Sequence, residues 1–175
     1  MSTLSEQAIS IPGTGTYTLD PSQSTITFAT RHLFGLGKVT GTFSLTDGEL
    51  VVSDPVTSST VTARAAASSF ATGNSQRDKQ VKSKMLLDAD NHPDISFHST
   101  HLIHHEQGWT LRGRLTVRGE SAPVDFAITQ SRISGRGVSI LATARVDRYA
   151  HGITKGKGMA ARHLDIELRA EFLSA

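Results

Sequence analysis

The chain has no cysteine. That excludes a thiolate nucleophile, a cysteine-ligated zinc site, an iron–sulfur cluster and any disulfide framework. Aromatic residues are sparse: seven Phe, two Tyr and one Trp among 175 residues. No apolar run approaches the ~18–20 residues that a membrane-spanning helix needs, and the mean hydropathy is −0.20. Net charge is small, with 18 Lys+Arg against 16 Asp+Glu. The sequence pI is about 9.2, but the basic residues alternate with Thr, Ser and acids instead of clustering, which argues against a nucleic-acid partner. The first ten residues, MSTLSEQAIS, lack the basic start and apolar centre of a secretory signal. The expectation is therefore a cytoplasmic protein.

The length suits a single domain, one that can bury a core without a metal or disulfide. Residues 1–15, with Ile9, Pro12, Gly13 and Gly15, read as a flexible N-terminal arm, and 16–175 as the folded domain. From Tyr17 onward apolar residues recur at every second position. Ile26, Phe28, Thr30 and His32 share one parity; Val39, Gly41, Phe43 and Leu45 share the next. The pattern continues through Val61, Ala63, Ala65 and Ala67, through Ile95, Phe97 and Ser99, and through Trp109, Leu111, Gly113, Leu115 and Val117. Val124, Phe126 and Ile128 follow, then Val138, Ile140, Ala142, Ala144 and Val146, and finally Leu164, Ile166, Leu168, Ala170 and Phe172. The intervening positions are mostly Thr, Ser or charged. Such alternation marks antiparallel strands with one dry face and one wet face. Asp47-Gly48, Gln107-Gly108, Gly119 and Ser134-Gly135 punctuate the runs. About eight strands in meander order predict an all-β, eight-stranded antiparallel barrel, since closure removes exposed sheet edges.

One stretch breaks the alternation. Ser75-Gln76-Arg77-Asp78, followed by Val81 and Met85, predicts a short helix with Ser75 as its cap, and Pro93 stops any continuation. Such a helix is placed to cover a barrel end with Val81 or Met85.

The inward rows differ in bulk. Ala63, Ala65, Gly113, Ala142 and Ala144 are small, whereas Ile26, Phe28, Phe43, Phe97, Leu115, Phe126, Ile140 and Leu168 are large. This fits a filled core as well as it fits a hollow that holds a slim ligand. His98, His101, His104 and His105 do not make a metal site on simple strand geometry, because 98 and 104 point one way and 101 and 105 the other. The segment from Gly152 to Gly158 lacks the spacing of a phosphate loop, and Gly158 stands where Ser or Thr is needed. His32 shares the inward parity. It is open as a general base, as a polar anchor for a ligand, or as a satisfied core histidine. No Gly-x-Ser-x-Gly elbow or nucleophile–base pair is present.

An ordered series of residues resembles the YceI-like family. It comprises Tyr17-Thr18-Leu19-Asp20-Pro21, Phe28, Arg31-His32-Leu33, Gly41-Thr42-Phe43, Ser69 with Thr72, Arg77-Asp78, Lys82-Ser83 and His92-Pro93. It continues through Phe97, Ser99-Thr100, Gly113, Leu115-Thr116, Gly119, Pro123-Val124 and Arg148 with Gly152. The resemblance implies an extended lipocalin-like barrel with a short helix, whose apolar tunnel binds polyisoprenoids, isoprenoid quinones or their precursors. Some relatives hold fatty acids or fatty amides instead. It implies no catalytic residues and no cofactor. Two departures from the pattern stand out: Ala63 and Ala65 replace bulkier branched residues, and His151 stands where an aromatic is usual. The expected ligand-lining residues are Ile26, Phe28, His32, Phe43, Ala63, Ala65, Phe97, Leu111, Leu115, Phe126, Ile140, Ala142, Val146, Ile166 and Leu168. The alternatives are a small enzyme acting on a lipid-like substrate with His32 as base, and an interaction protein with a filled barrel. Nothing in the sequence decides between a monomer and a homodimer.

Overall fold

The computed structural model describes residues 9–31, 38–155 and 161–174. Ten strand segments follow the alternating runs: β1 (Gly15–Leu19), β2 (Thr25–Arg31), β3 (Lys38–Phe43), β4 (Leu45–Val52) and β5 (Thr60–Ala66). Then come β6 (Asp94–His105), β7 (Gly108–Val117), β8 (Glu120–Ser134), β9 (Gly137–Asp147) and β10 (His163–Ser174). All pairings between these strands are antiparallel. β1 and β2 lie in line along the same edge of β10, and β3 and β4 lie in line beside them, so the ten segments form an eight-stranded closed barrel. Among the described residues no helix is long and apolar enough to cross a membrane.

The break between β1 and β2 keeps the seam with β10 intact. The Asp20 carboxylate accepts from the Ser22 amide at 3.0 Å and turns the chain through Pro21. The Asp20 amide donates to the Glu171 carbonyl at 2.8 Å. The buried Ser24 hydroxyl donates to the Asp20 carbonyl and accepts from the Glu171 amide at 2.9 Å. The hydroxyl thus replaces a strand carbonyl, and no buried backbone donor is left over.

At the other end the wall opens. β4 pairs with β5, but β3 diverges from it and makes only a bridge from Thr42 to Ala71. The segment from Ala67 to Pro93 fills this gap with the short helix α1 (Ser75–Lys82). Its cap is Asn74, whose side chain accepts from the Arg77 amide; Ser75 is the first helical residue and not the cap. Asp78 instead ties the helix to the incoming chain, accepting from the amide and hydroxyl of Thr72. The Thr72 hydroxyl is the main reason its carboxyl is held below the ordinary carboxylate range. Val81 and Leu86 pack on the cluster of Phe28, Phe70, Leu87, Val117 and Ile153. Met85 does not cover the barrel, for it is 52% exposed. The two-residue turn Arg118-Gly119, with both φ angles positive, joins β7 to β8. From it the Arg118 guanidinium donates to the carbonyls of Met85 and Leu86 and fastens the segment after α1.

Three bulges adjust the register, between Leu45 and Asp47, Ser99 and His101, and Ile128 and Gln130. Each inserts a residue on one strand and reverses the parity beyond it. In β6 the extra residue corrects the expected histidine geometry. His98 pairs with Arg114 and His101 with Arg112, so both lie on the outer face. His104 pairs with Trp109 and stacks on its ring at 4.1 Å. Among the described residues no group of three or more His, Asp or Glu is placed to hold a metal.

Candidate functional site: an apolar hollow along the barrel axis

The inward side chains do not fill the barrel. Ile26, Phe43, Val61, Ala63, Leu115, Phe126, Ile140 and Leu168 face inward yet remain only half-buried. Val138 is the largest side chain with less than 2% exposure. A filled core of this size would hide many large side chains completely, because interiors pack to crystal-like density.

The space divides into two chambers. One, of about 170 Å³, lies toward the N-terminal arm; the other, of about 260 Å³, lies toward α1. Ile26, Ala65, Ile95, Leu115 and Phe126 line both and form the waist between them. The arm-side chamber also takes its wall from Ala63, Phe97, Leu111, Ile140, Ala142 and Leu168. The helix-side chamber is lined further by Phe28, Phe43, Val146 and Ile166. Of the fifteen expected residues, His32 alone lies outside the described residues. Ala144, whose small side chain was expected to widen the hollow, lines neither chamber.

Several features of the walls come from close approach of strands. Gly113 pairs with Ser99 and lets the Phe97 ring cross it; a Cβ there would sit 2.5 Å from that ring and 2.4 Å from the His98 carbonyl oxygen. Phe97 then meets Phe126 edge-on at 5.2 Å. Gly41 makes the same allowance for Phe28, which stacks on Phe70 at 5.1 Å. The alanines that depart from the usual bulk behave differently from one another. Ala65 is 3% exposed at the waist, whereas Ala63 is only half-buried on the arm-side wall.

Polar groups collect at the two ends. Arg77, Arg148 and His151 border the helix-side chamber. Arg148 is 8% exposed, and its guanidinium donates to the carbonyls of Ala161, Ile153 and Lys155 at 2.7–2.9 Å. This ties Ile153, Lys155 and Ala161 together at the barrel end. His151, in the place of the usual aromatic, is 3% exposed; its Nδ1 donates to the Glu120 carbonyl at 2.9 Å. Arg77 donates from Nε to the Thr72 hydroxyl at 3.0 Å. At the other end Ser59 and Ser131 are buried with their hydroxyls engaged, Ser59 by the Ser53 amide and Ser131 by the Ser10 carbonyl. Among the described residues no buried side-chain polar atom lacks a partner. The middle of the hollow therefore offers burial and no directional bonding, and the polar chemistry is confined to its ends.

Sequence reasoning missed Leu102, Ser131, Arg77 and residues 9–12 as wall residues. Leu102 and Ser131 lie just beyond bulges, where simple alternation assigns the wrong face. The mixed polarity of the arm carries no period to read.

The profile of the YceI-like domain matches residues 17–172. A UPF0312 protein of Yersinia enterocolitica is 27% identical over 159 residues, covering 86% of this chain and 81% of that protein. One from Vibrio cholerae is 28% identical, covering 93% and 91%. Among solved structures, Burkholderia cenocepacia BcnA superposes with a TM-score of 0.77 at 17% identity, covering 87% of this chain and 98% of that one. A polyisoprenoid binding domain from Saccharophagus degradans superposes at 0.70 with 10% identity, covering 91% and 98%. With the break between β1 and β2 and the helix over one end falling within the matched residues, the chain belongs to the YceI-like family.

Proposed function

We propose that the barrel binds one linear apolar chain non-covalently, a polyisoprenoid or an amphiphile of similar shape, and stores or carries it. The observation that carries this reading is the pair of apolar chambers sharing a waist inside an intact barrel. Water enters such a space reluctantly because the walls offer it no hydrogen bonds, whereas an alkyl or isoprenoid chain loses nothing there. Each buried CH₂ contributes about 0.8 kcal/mol before the costs of association are subtracted. Ile26, Ala65, Leu115 and Phe126 grip the middle of the chain in this reading. The groups at the helix end, Arg77 and His151 foremost, face a polar head such as a quinone ring, a phosphate or an amide. The neighbouring structure from Saccharophagus degradans is described as a polyisoprenoid binding domain, which favours the same ligand class.

Native mass spectrometry of freshly purified protein, followed by solvent extraction and identification of any lipid, tests the reading. A stoichiometric isoprenoid or fatty chain supports it. Protein that stays empty after incubation with prenols of several lengths overturns it.

A further inference from the structure

The described part of the arm, residues 9–15, lies against the barrel. Ile9 forms a parallel bridge with Ser131, the Ser10 amide donates to the Ser131 carbonyl at 2.9 Å, and the Ser131 hydroxyl returns a bond to the Ser10 carbonyl at 2.7 Å. The point of attachment has a structural cause. β7 begins opposite Ile128, so β8 runs past it and leaves one edge bare, while β9 occupies the other edge at Ser131. The bulge after Ile128 turns Ser131 inward at this position, opposite Ile140. The arm therefore repairs an open edge and does so at the rim of the hollow.

From Ser131 the arm passes over the barrel end to Gly13, whose carbonyl accepts from the Tyr17 hydroxyl at 2.7 Å, and enters β1. β8 and β1 are separated around the ring by β9 and β10, so the segment spans the opening. Ile9, Ser10, Ile11 and Pro12 all contribute to the wall of the arm-side chamber. Ile9 and Pro12 are half-buried, and Ile11 is exposed at the outer rim.

We propose that residues 9–12 are a strap that closes the tail end of the tunnel and sets the length of chain the barrel accepts. This rests on the chain-binding reading above and adds a specificity element to it. A cavity of about 150 Å³ lined by apolar groups accepts benzene, a ring of six carbons. On that scale the chambers of about 170 and 260 Å³ together accommodate about 17 carbons. That is a chain of three to four isoprene units or a common fatty chain. A longer chain with its head at the helix end has its tail directed against Ile9 and Pro12. It fits only if the strap leaves Ser131, where among the described residues it is held by the Ile9 bridge, with its bond from the Ser10 amide, and by the Ser131 hydroxyl. Short chains bind beneath a closed strap; long ones bind with it displaced.

The absence of cysteine makes a reversible lock feasible. Bridged neighbours stand at the ~5 Å spacing of adjacent strands, within the range a disulfide spans. The double variant Ile9→Cys/Ser131→Cys closes the strap when oxidised and frees it when reduced. Prenols of about 15, 20 and 40 carbons, which bracket the capacity worked out above, are the probes. Binding is measured in both redox states and in the wild type. Oxidation is expected to weaken the longest prenol at least tenfold, to leave the shortest unchanged, and to be reversed by reductant. A second variant, Ile9→Asp, expels the strap without a crosslink and is expected to strengthen the longest prenol relative to the shortest. If the length profile is the same in all these forms, the strap has no part in selection. If no prenol of any length binds the wild type, the chain-binding reading itself falls, and the strap proposal with it.

Discussion

Ala65→Phe separates a hollow barrel from a filled one. Ala65 is 3% exposed and lines both chambers, so a side chain added there enters the waist. The substitution adds a phenyl ring, and either chamber, about 170 or 260 Å³, exceeds the ~150 Å³ that accommodates benzene. Burying the ring returns up to ~1.5–3 kcal/mol, against which rotamer strain and small wall movements count. The expected change in unfolding free energy is therefore within about 1 kcal/mol of zero, whereas overpacking a filled core costs roughly 1–3 kcal/mol or more. Binding responds in the opposite sense. The ring displaces about six chain carbons, which at about 0.8 kcal/mol each removes close to 5 kcal/mol, or a thousandfold and more in affinity. Urea denaturation reads the first quantity, and displacement of a fluorescent alkyl probe reads the second. A variant destabilised by more than about 3 kcal/mol, from a wild type that binds no chain, would refute the reasoning.

Gly113→Ala should cost about 2–3 kcal/mol, because its Cβ would meet the His98 carbonyl oxygen at 2.4 Å; an unchanged urea midpoint would show that strand spacing relaxes freely there. Ser24→Ala strips the Glu171 amide of its acceptor inside the seam, and about 1–3 kcal/mol of stability should go with it, together with faster hydrogen exchange at Glu171. The Asp147 carboxyl is held below its ordinary value of 3.8, chiefly by the bidentate Arg162 guanidinium and also by the Tyr149 amide. Its stabilising contribution is thus complete above that ordinary value and disappears as pH falls through the lower folded one. Asp147→Asn should flatten the acid side of the stability–pH curve while changing its slope little near neutrality; an unaltered acid limb would contradict the assignment. Arg118→Ala removes the donors to Met85 and Leu86, and hydrogen exchange should accelerate between Ser83 and Ala89 while the β8–β9 ladder stays protected.

Strand positions and inward faces were legible in the sequence because alternation is a local property: successive side chains on an extended backbone point to opposite sides whatever the partner strand is. That is why Phe28, Leu115 and Leu168 could be assigned inward from their neighbours alone. The Tyr17-to-Pro21 series and Arg77-Asp78 likewise carried the family resemblance in residue identity, although the work they do became visible only in space, as a preserved seam and as a helix tied to Thr72. Three things depended on tertiary structure. Bulges arise from how one strand is matched to the next, so the extra residues in β6 and β8 left no local mark, and His101, Leu102 and Ser131 were accordingly beyond reach of simple parity. Whether the interior is full depends on ring closure as much as on side-chain volume. The same alanines and phenylalanines would fill a narrower barrel, and only the closed ring leaves chambers around the waist. Ile9 and Ser10, within the segment read as a flexible arm from its Pro and Gly, are placed by a bare edge of β8 more than a hundred residues away in the chain. A contact of that kind exists only once the strand it meets has been built, and no pattern within residues 1–15 encodes it.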